Sequence, residues 1–119
     1  MPDNILFYSG LSLFLIHEMD AIRHKEWKMF PILSSLSDRL GYIIFTCLHI
    51  PLFIGIFWFL ANASIREIFI KTFDIFMIIH LILHVIFLEH RENKFRNLFS
   101  WLIIIGISLC GCFDLILFR

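Results

Sequence analysis

Four histidines, His17, His49, His80 and His84, stand inside apolar stretches of a 119-residue chain, and Asp20 follows the first of them by three positions. Neutral imidazoles with one carboxylate are a donor set for a divalent transition ion, with zinc or iron expected first and manganese or copper also compatible. His80 and His84 are four residues apart, which puts both rings on one face of a helix. By the same rule His17, Asp20 and His24 form a stripe, and Tyr42, Thr46 and His49 line one side of the next apolar stretch. Pro51, just after His49, frees the carbonyl of Cys47 and predicts a kink there. The candidate ligands are therefore His17, Asp20, His49, His80 and His84, of which three or four would hold the ion. Glu18, about 100° around the helix from His17, is the candidate general base. The H-E-x-x-H pattern of zinc peptidases is absent, because Ala21 occupies the fourth step after His17. The Glu-x-x-His pairs of di-iron bundles are absent from the apolar stretches as well.

The elements that carry these residues follow from composition. The chain is 60% hydrophobic and only 17% charged, with 15 phenylalanines and a mean hydropathy of +0.87. A soluble domain of this size has too little interior for that much apolar side chain. Apolar runs at about 4–22, 41–62, 70–88 and 98–118 each approach the roughly 20 residues that cross a hydrocarbon core as a helix. Lipid requires an internally satisfied backbone, so the expected fold is all-α: a single domain over 1–119, a polytopic bundle of four transmembrane helices. The first run has Asp3 rather than a basic leader and no small-residue cleavage site, so it is expected to be retained.

Ten basic and ten acidic residues cancel, which removes the electrostatic footprint of a nucleic-acid binder. Cys47, Cys110 and Cys112 all sit in apolar runs and read as reduced, buried thiols. Arg23, Lys25, Lys28, Arg39, Arg91, Lys94 and Arg96 follow spans one and three, against Arg66, Lys71 and Arg119 on the opposite side. The positive-inside bias then places both termini on the non-cytoplasmic side. The segment 23–40 is expected to extend the first helix as far as Pro31. It would lie along the headgroups through Trp27, Met29, Phe30, Ile32 and Leu33.

With a rise of about 1.5 Å per residue, His17 falls roughly 8 Å from the cytoplasmic face and His49 roughly 12 Å. His84 and His80 fall roughly 6 and 12 Å from it. Three helices thus place imidazoles in one cytoplasmic-half layer, where each ionisable residue costs a few kcal/mol to keep. The remaining polar residues read as structural. His24 and His90 are expected to be solvated, and Glu26, Glu89 and Glu92 to be surface charges among basic neighbours. Asp74 and Asp114 form a second polar pair near the outer third, without a histidine neighbour. Gly106, Cys110, Gly111 and Cys112 make the last span small along one side and imply close packing. Trp58 and Trp101 fit an interfacial belt.

The string from His17 to Trp27 (H-E-x-D-A-x-R-x-x-E-W), with His49-Ile50-Pro51 and Phe73-Asp74 ahead of His80 and His84, resembles an uncharacterised family of small bacterial membrane proteins. That family is catalogued only as a domain of unknown function. A looser likeness is to membrane proteins named for a His-x-x-Glu-Glu motif, from which this chain departs at Asp20 and Ala21. The resemblance implies a bacterial inner membrane and supplies no reaction. The leading expectation is an intramembrane metal site acting on lipid as a hydrolase or oxidase, with the question of catalysis open. The alternatives are a haem b protein using His49 and His84 as axial ligands, a proton or cation transporter, and a non-catalytic membrane subunit. The lipid bilayer is the expected partner, and a homo-oligomer is left open.

Overall fold

The computed structural model describes residues 4–91, 93 and 96–119. Glu92 and Lys94 lie outside the described residues. Among the described residues there are four α-helices: α1 (Ile5–Arg23), α2 (Asp38–Ala61), α3 (Arg66–Ile86) and α4 (Leu98–Phe118). Each is long and apolar enough to cross a membrane. The helices alternate in direction. Asn97 at the start of α4 lies against His24 just past the end of α1, and Arg119 beyond the end of α4 reaches Asn4 just before α1. The loops after α1 and α3 therefore share one end of the bundle.

Two helices begin earlier than their apolar runs. Ser37 caps α2 by accepting the amide of Leu40, which extends helix into the charged pair Asp38 and Arg39. The first turn of α3 holds Arg66 and Glu67, polar residues that an apolar window leaves out. Asn97 caps α4 in the same way as Ser37 caps α2, accepting from Ser100. Helix one ends at Arg23, well before Pro31, so the expected extension does not form. Lys25 takes left-handed backbone (φ 52°, ψ 49°) and turns the chain into a short 3₁₀ turn, Glu26–Met29. That conformation is unfavourable for a residue with a Cβ and needs surrounding contacts to hold it. Trp27 and Met29 supply them by being buried rather than lying along the headgroups, whereas Phe30 and Ile32 are exposed.

The helices are unequal partners. Of the most apolar stretch of α1, 44% is buried within the bundle, against 17% for α2. α1 and α3 pack along α4, and α2 leans on the outside of this trio. One core cluster joins Phe7, Leu11 and Phe14 to Ile70, Phe73, Met77 and Ile107. A second, at the loop end, joins Ala21, Trp27, Phe45 and Ile104. The outward surfaces are lined with exposed Ile, Leu and Phe, as contact with lipid requires. Cys47 is among the exposed residues, on lightly buried α2, and so is not the buried thiol expected.

Small residues set the closest approaches. A Cβ at Gly111 would meet the backbone oxygen of Asp74 at 2.7 Å, so α3 and α4 touch at this residue. Gly41 likewise leaves space for the indole of Trp27, which fixes the loop against α2. Because a main-chain atom cannot rotate away, Gly111→Ala is expected to cost about 1–3 kcal/mol, the usual penalty of overpacking. Its melting temperature in detergent should fall, whereas Gly55→Ala, where nothing lies within 4 Å, should melt like the wild type.

Candidate metal centre

α1 distributes three consecutive polar side chains to three neighbours. His17 faces α3. Glu18, about 100° around the axis, faces α2, and Asp20, about 60° the other way, faces α4. Each destination is recorded by contacts. The His17 ring stands edge-on to His80 and His84, with centroids 4.5 and 4.9 Å away. Glu18 meets His49 of α2 at 2.6 Å. Asp20 accepts the hydroxyl of Ser100 on α4 and pairs with Nδ1 of His24 at 3.0 Å.

Three of the five expected ligands come together. His17, His80 and His84 are all buried, and one ring nitrogen from each lies within 4.8 Å of the other two. Donors bound to a tetrahedral ion at about 2.0–2.1 Å lie roughly 3.4 Å apart, so small side-chain rotations would bring these three into coordination. Phe14 and Phe76 pack against His80, and Nδ1 of His80 has no hydrogen-bond partner among the described residues. A polar nitrogen buried among phenylalanines is costly unless something else engages it.

The other two expected ligands lie at a similar level but elsewhere. His49 uses both ring nitrogens, Nδ1 toward the carbonyl of Phe45 at 2.7 Å and Nε2 toward Glu18. A carbonyl only accepts, so Nδ1 carries a hydrogen and a single proton lies between Nε2 and the Glu18 carboxyl. The pair lines a separate cavity of about 250 Å³ between α1 and α2, with Thr46 and Phe53. Asp20 is drawn to α4 by Ser100. The histidines thus divide around α1, His80 and His84 on the side of His17 and His49 on the side of Glu18.

The Glu18–His49 bond is a rare buried polar tie between α1 and α2. Glu18→Ala should strand the His49 nitrogen and cost about 1–3 kcal/mol. Thermal unfolding in detergent should show that loss, and Glu18→Gln, which can donate to Nε2, should recover much of it.

Glu26 occupies a place its sequence neighbours do not suggest. The lysines on either side of it turn away, Lys25 and Lys28 both pairing with Asp38 at 2.7 and 3.1 Å. Glu26 instead points inward, its side chain 13% exposed, with Oε1 3.6 Å from Nε2 of His84. Burial pushes its carboxyl up to about 8, and the neighbouring Glu18 adds to the rise. Glu26, His80 and His84 line one cavity of about 130 Å³, together with Met29, Phe30, Leu83 and Phe87. The expectation of a surface charge is therefore corrected. The left-handed turn at Lys25 reverses which residues of the loop face inward, and no helical periodicity could have shown that. His24 is also less solvated than expected, being held by Asp20.

The second polar pair lies at the far end of the bundle. Asp74 and Asp114 are completely buried beside each other. Arg119 binds Asp114 at 2.9 Å, Glu67 at 2.7 Å and Asn4 at 2.6 Å, tying α4 to the starts of α1 and α3.

These features define a class: a small four-helix protein of membrane-spanning character with a buried polar layer near one end. Within that class, a family model described as a family of unknown function (DUF6713) matches residues 3–119, and the chain belongs to that family. No curated protein and no solved structure matches it.

Proposed function

We propose that this protein is an integral membrane metalloprotein whose His17, His80 and His84 hold one divalent transition ion, zinc or iron by donor type, and that the ion serves hydrolysis of a lipid ester or amide. One observation carries the reading: three buried imidazoles from two helices converge within 4.8 Å beside a cavity. Such a cavity, about 130 Å³, has the volume of roughly four waters, enough for a carbonyl group and an attacking water. The ion would supply Lewis acidity and a water activated near neutral pH. Water oxygen bonds to the carbonyl carbon, the bond to the leaving oxygen or nitrogen breaks, and the protons of water end on the two products. Phe30, Leu83 and Phe87 offer the apolar walls that an acyl chain requires. Glu18 faces α2 and the other cavity, so its part here is to hold α2 in place.

The basic residues around the loops after α1 and α3 support a cytoplasmic position for that end of the bundle, with both termini across the membrane. A bacterial inner membrane is the location this proposal assigns. A bare ion is favoured over haem b, because rings edge-on with centroids 4.5–4.9 Å apart leave no slot for a macrocycle between them. His49, the other axial candidate, is committed to Phe45 and Glu18. Transport draws on a different observation, the buried Asp74–Asp114 pair. Proton or cation flux in proteoliposomes that is abolished by Asp74→Asn would favour it.

The hydrolytic reading is tested with zinc- or iron-loaded protein in nanodiscs of native lipid, with products followed by mass spectrometry. Metal-dependent release of an acid or alcohol, absent with His84→Ala, is the expected result. Unchanged lipids with every metal supplied would remove the hydrolytic step.

A further inference from the structure

We infer that Glu26 is the fourth protein ligand of the three-histidine centre, delivered from the turn outside the helices. The inference rests on the metal-site reading above and goes beyond it by naming a fourth protein donor; the water of the hydrolytic step would then enter as a fifth ligand. Its geometry is the first support. Oε1 of Glu26 and Nε2 of His84 are 3.6 Å apart. That is too long for a hydrogen bond, and it is close to the roughly 3.4 Å edge between two donors on a tetrahedral ion. Glu26 also lines the same cavity as His80 and His84, so its carboxylate opens onto the space those two imidazoles face.

The turn that carries Glu26 is held in register by its backbone, its packing and its ion pairs. Lys25 adopts the left-handed conformation that swings Glu26 inward. Trp27, the next residue, is 2% exposed and seated against Gly41 and Phe45. Lys25 and Lys28 are both drawn to Asp38, which keeps their ammonium groups from neutralising Glu26. The carboxylate is thus directed at the histidines and is withheld from the cations nearest to it in sequence. Three neutral nitrogens and one carboxylate would leave a divalent ion with a single net charge, a milder burden inside an apolar bundle than three nitrogens alone. Ligation would also tie the loop to α1 and α3, so that metal binding orders residues on both sides of the turn.

The test is titration of the detergent-purified full chain with cobalt(II), whose visible bands report ligand type and number, followed by competition with zinc. The wild type should bind one cobalt with the intense bands of a four-coordinate ion. Glu26→Gln should shift those bands and lower zinc affinity by more than the roughly 10–100-fold that loss of an outer-shell partner costs. Glu26→His, which exchanges an oxygen donor for a nitrogen, should restore affinity, with bands moved toward an all-nitrogen shell. Unaltered bands in Glu26→Gln, with or without weaker binding, would overturn the inference and leave the three-histidine site standing. Failure of the wild type to bind cobalt or zinc would overturn both. Should Glu26→Gln not fold, X-ray absorption of the zinc-loaded wild type and Glu26→His decides by the number of imidazole rings at the ion: three becoming four supports ligation, and an unchanged count refutes it.

Discussion

His17→Leu is expected to remove the stabilisation that zinc confers while leaving the metal-free protein as stable as the wild type or more so. His17 is completely buried, packed edge-on against His80 and His84. An apolar side chain of similar volume removes a buried polar group and fills its space, a change that is often neutral or stabilising. The metal-bound state behaves oppositely. An ion that binds only the folded protein adds about 4 kcal/mol when present at a thousand times its Kd, and loss of one of its histidines removes most of that. Thermal melts of both proteins with and without zinc separate the two contributions. If the histidines only fastened α1 to α3, His17→Leu would instead lower the melting temperature of the metal-free protein, and zinc would move neither protein.

The second large effect is at the opposite end of the bundle. Arg119→Leu should destabilise the protein by about 3–5 kcal/mol, because it leaves Asp114 buried and uncompensated. Asp114 is completely buried and sits next to Asp74, so no solvent replaces the lost guanidinium. The same substitution releases Glu67 and Asn4, loosening α4 from the starts of α3 and α1. Combining it with Asp114→Leu should recover much of the loss, since replacing both members of a buried pair is far milder than removing one. Unfolding followed by the fluorescence of Trp27, Trp58 and Trp101 compares both variants with the wild type. Equal stability of Arg119→Leu and wild type would show that Arg119 does not compensate Asp114.

The fold was readable because lipid leaves the chain few choices. Long apolar runs separated by charged loops dictate helices, and successive crossings of the bilayer dictate alternating directions. Position along each helix follows from counting residues from a charged boundary. Azimuth depends on the neighbour each side chain meets, and there sequence was a poorer guide. Nothing local to His17, Glu18 and Asp20 states that α3, α2 and α4 will receive them in turn. Asp20 looked like a ligand because it shares a stripe with His17, yet Ser100, eighty positions away in the chain, claims it. His49 meets α1 at Glu18, on a different side from His17.

Glu26 was misread for another reason. Its two lysine neighbours imply solvent, and a single non-helical residue, Lys25, overturns that implication. A left-handed lysine has no signature in composition or periodicity. The segment from His17 to Trp27 did carry a cue, because its polar residues outnumber what one buried helical face can use. Some of them had to turn toward other helices or leave the helix altogether. α1 is accordingly the most buried of the four helices and the hub of the polar layer.

The central claim is that His17, His80 and His84 hold an ion, and elemental analysis tests it most directly. The detergent-purified wild type would be dialysed against dilute zinc, then against metal-free buffer, and measured for zinc per chain. One equivalent, retained by the wild type and lost in His80→Ala, is the predicted result. A wild type that retains no zinc, iron, manganese or copper, or a variant that retains as much as the wild type, would contradict the claim.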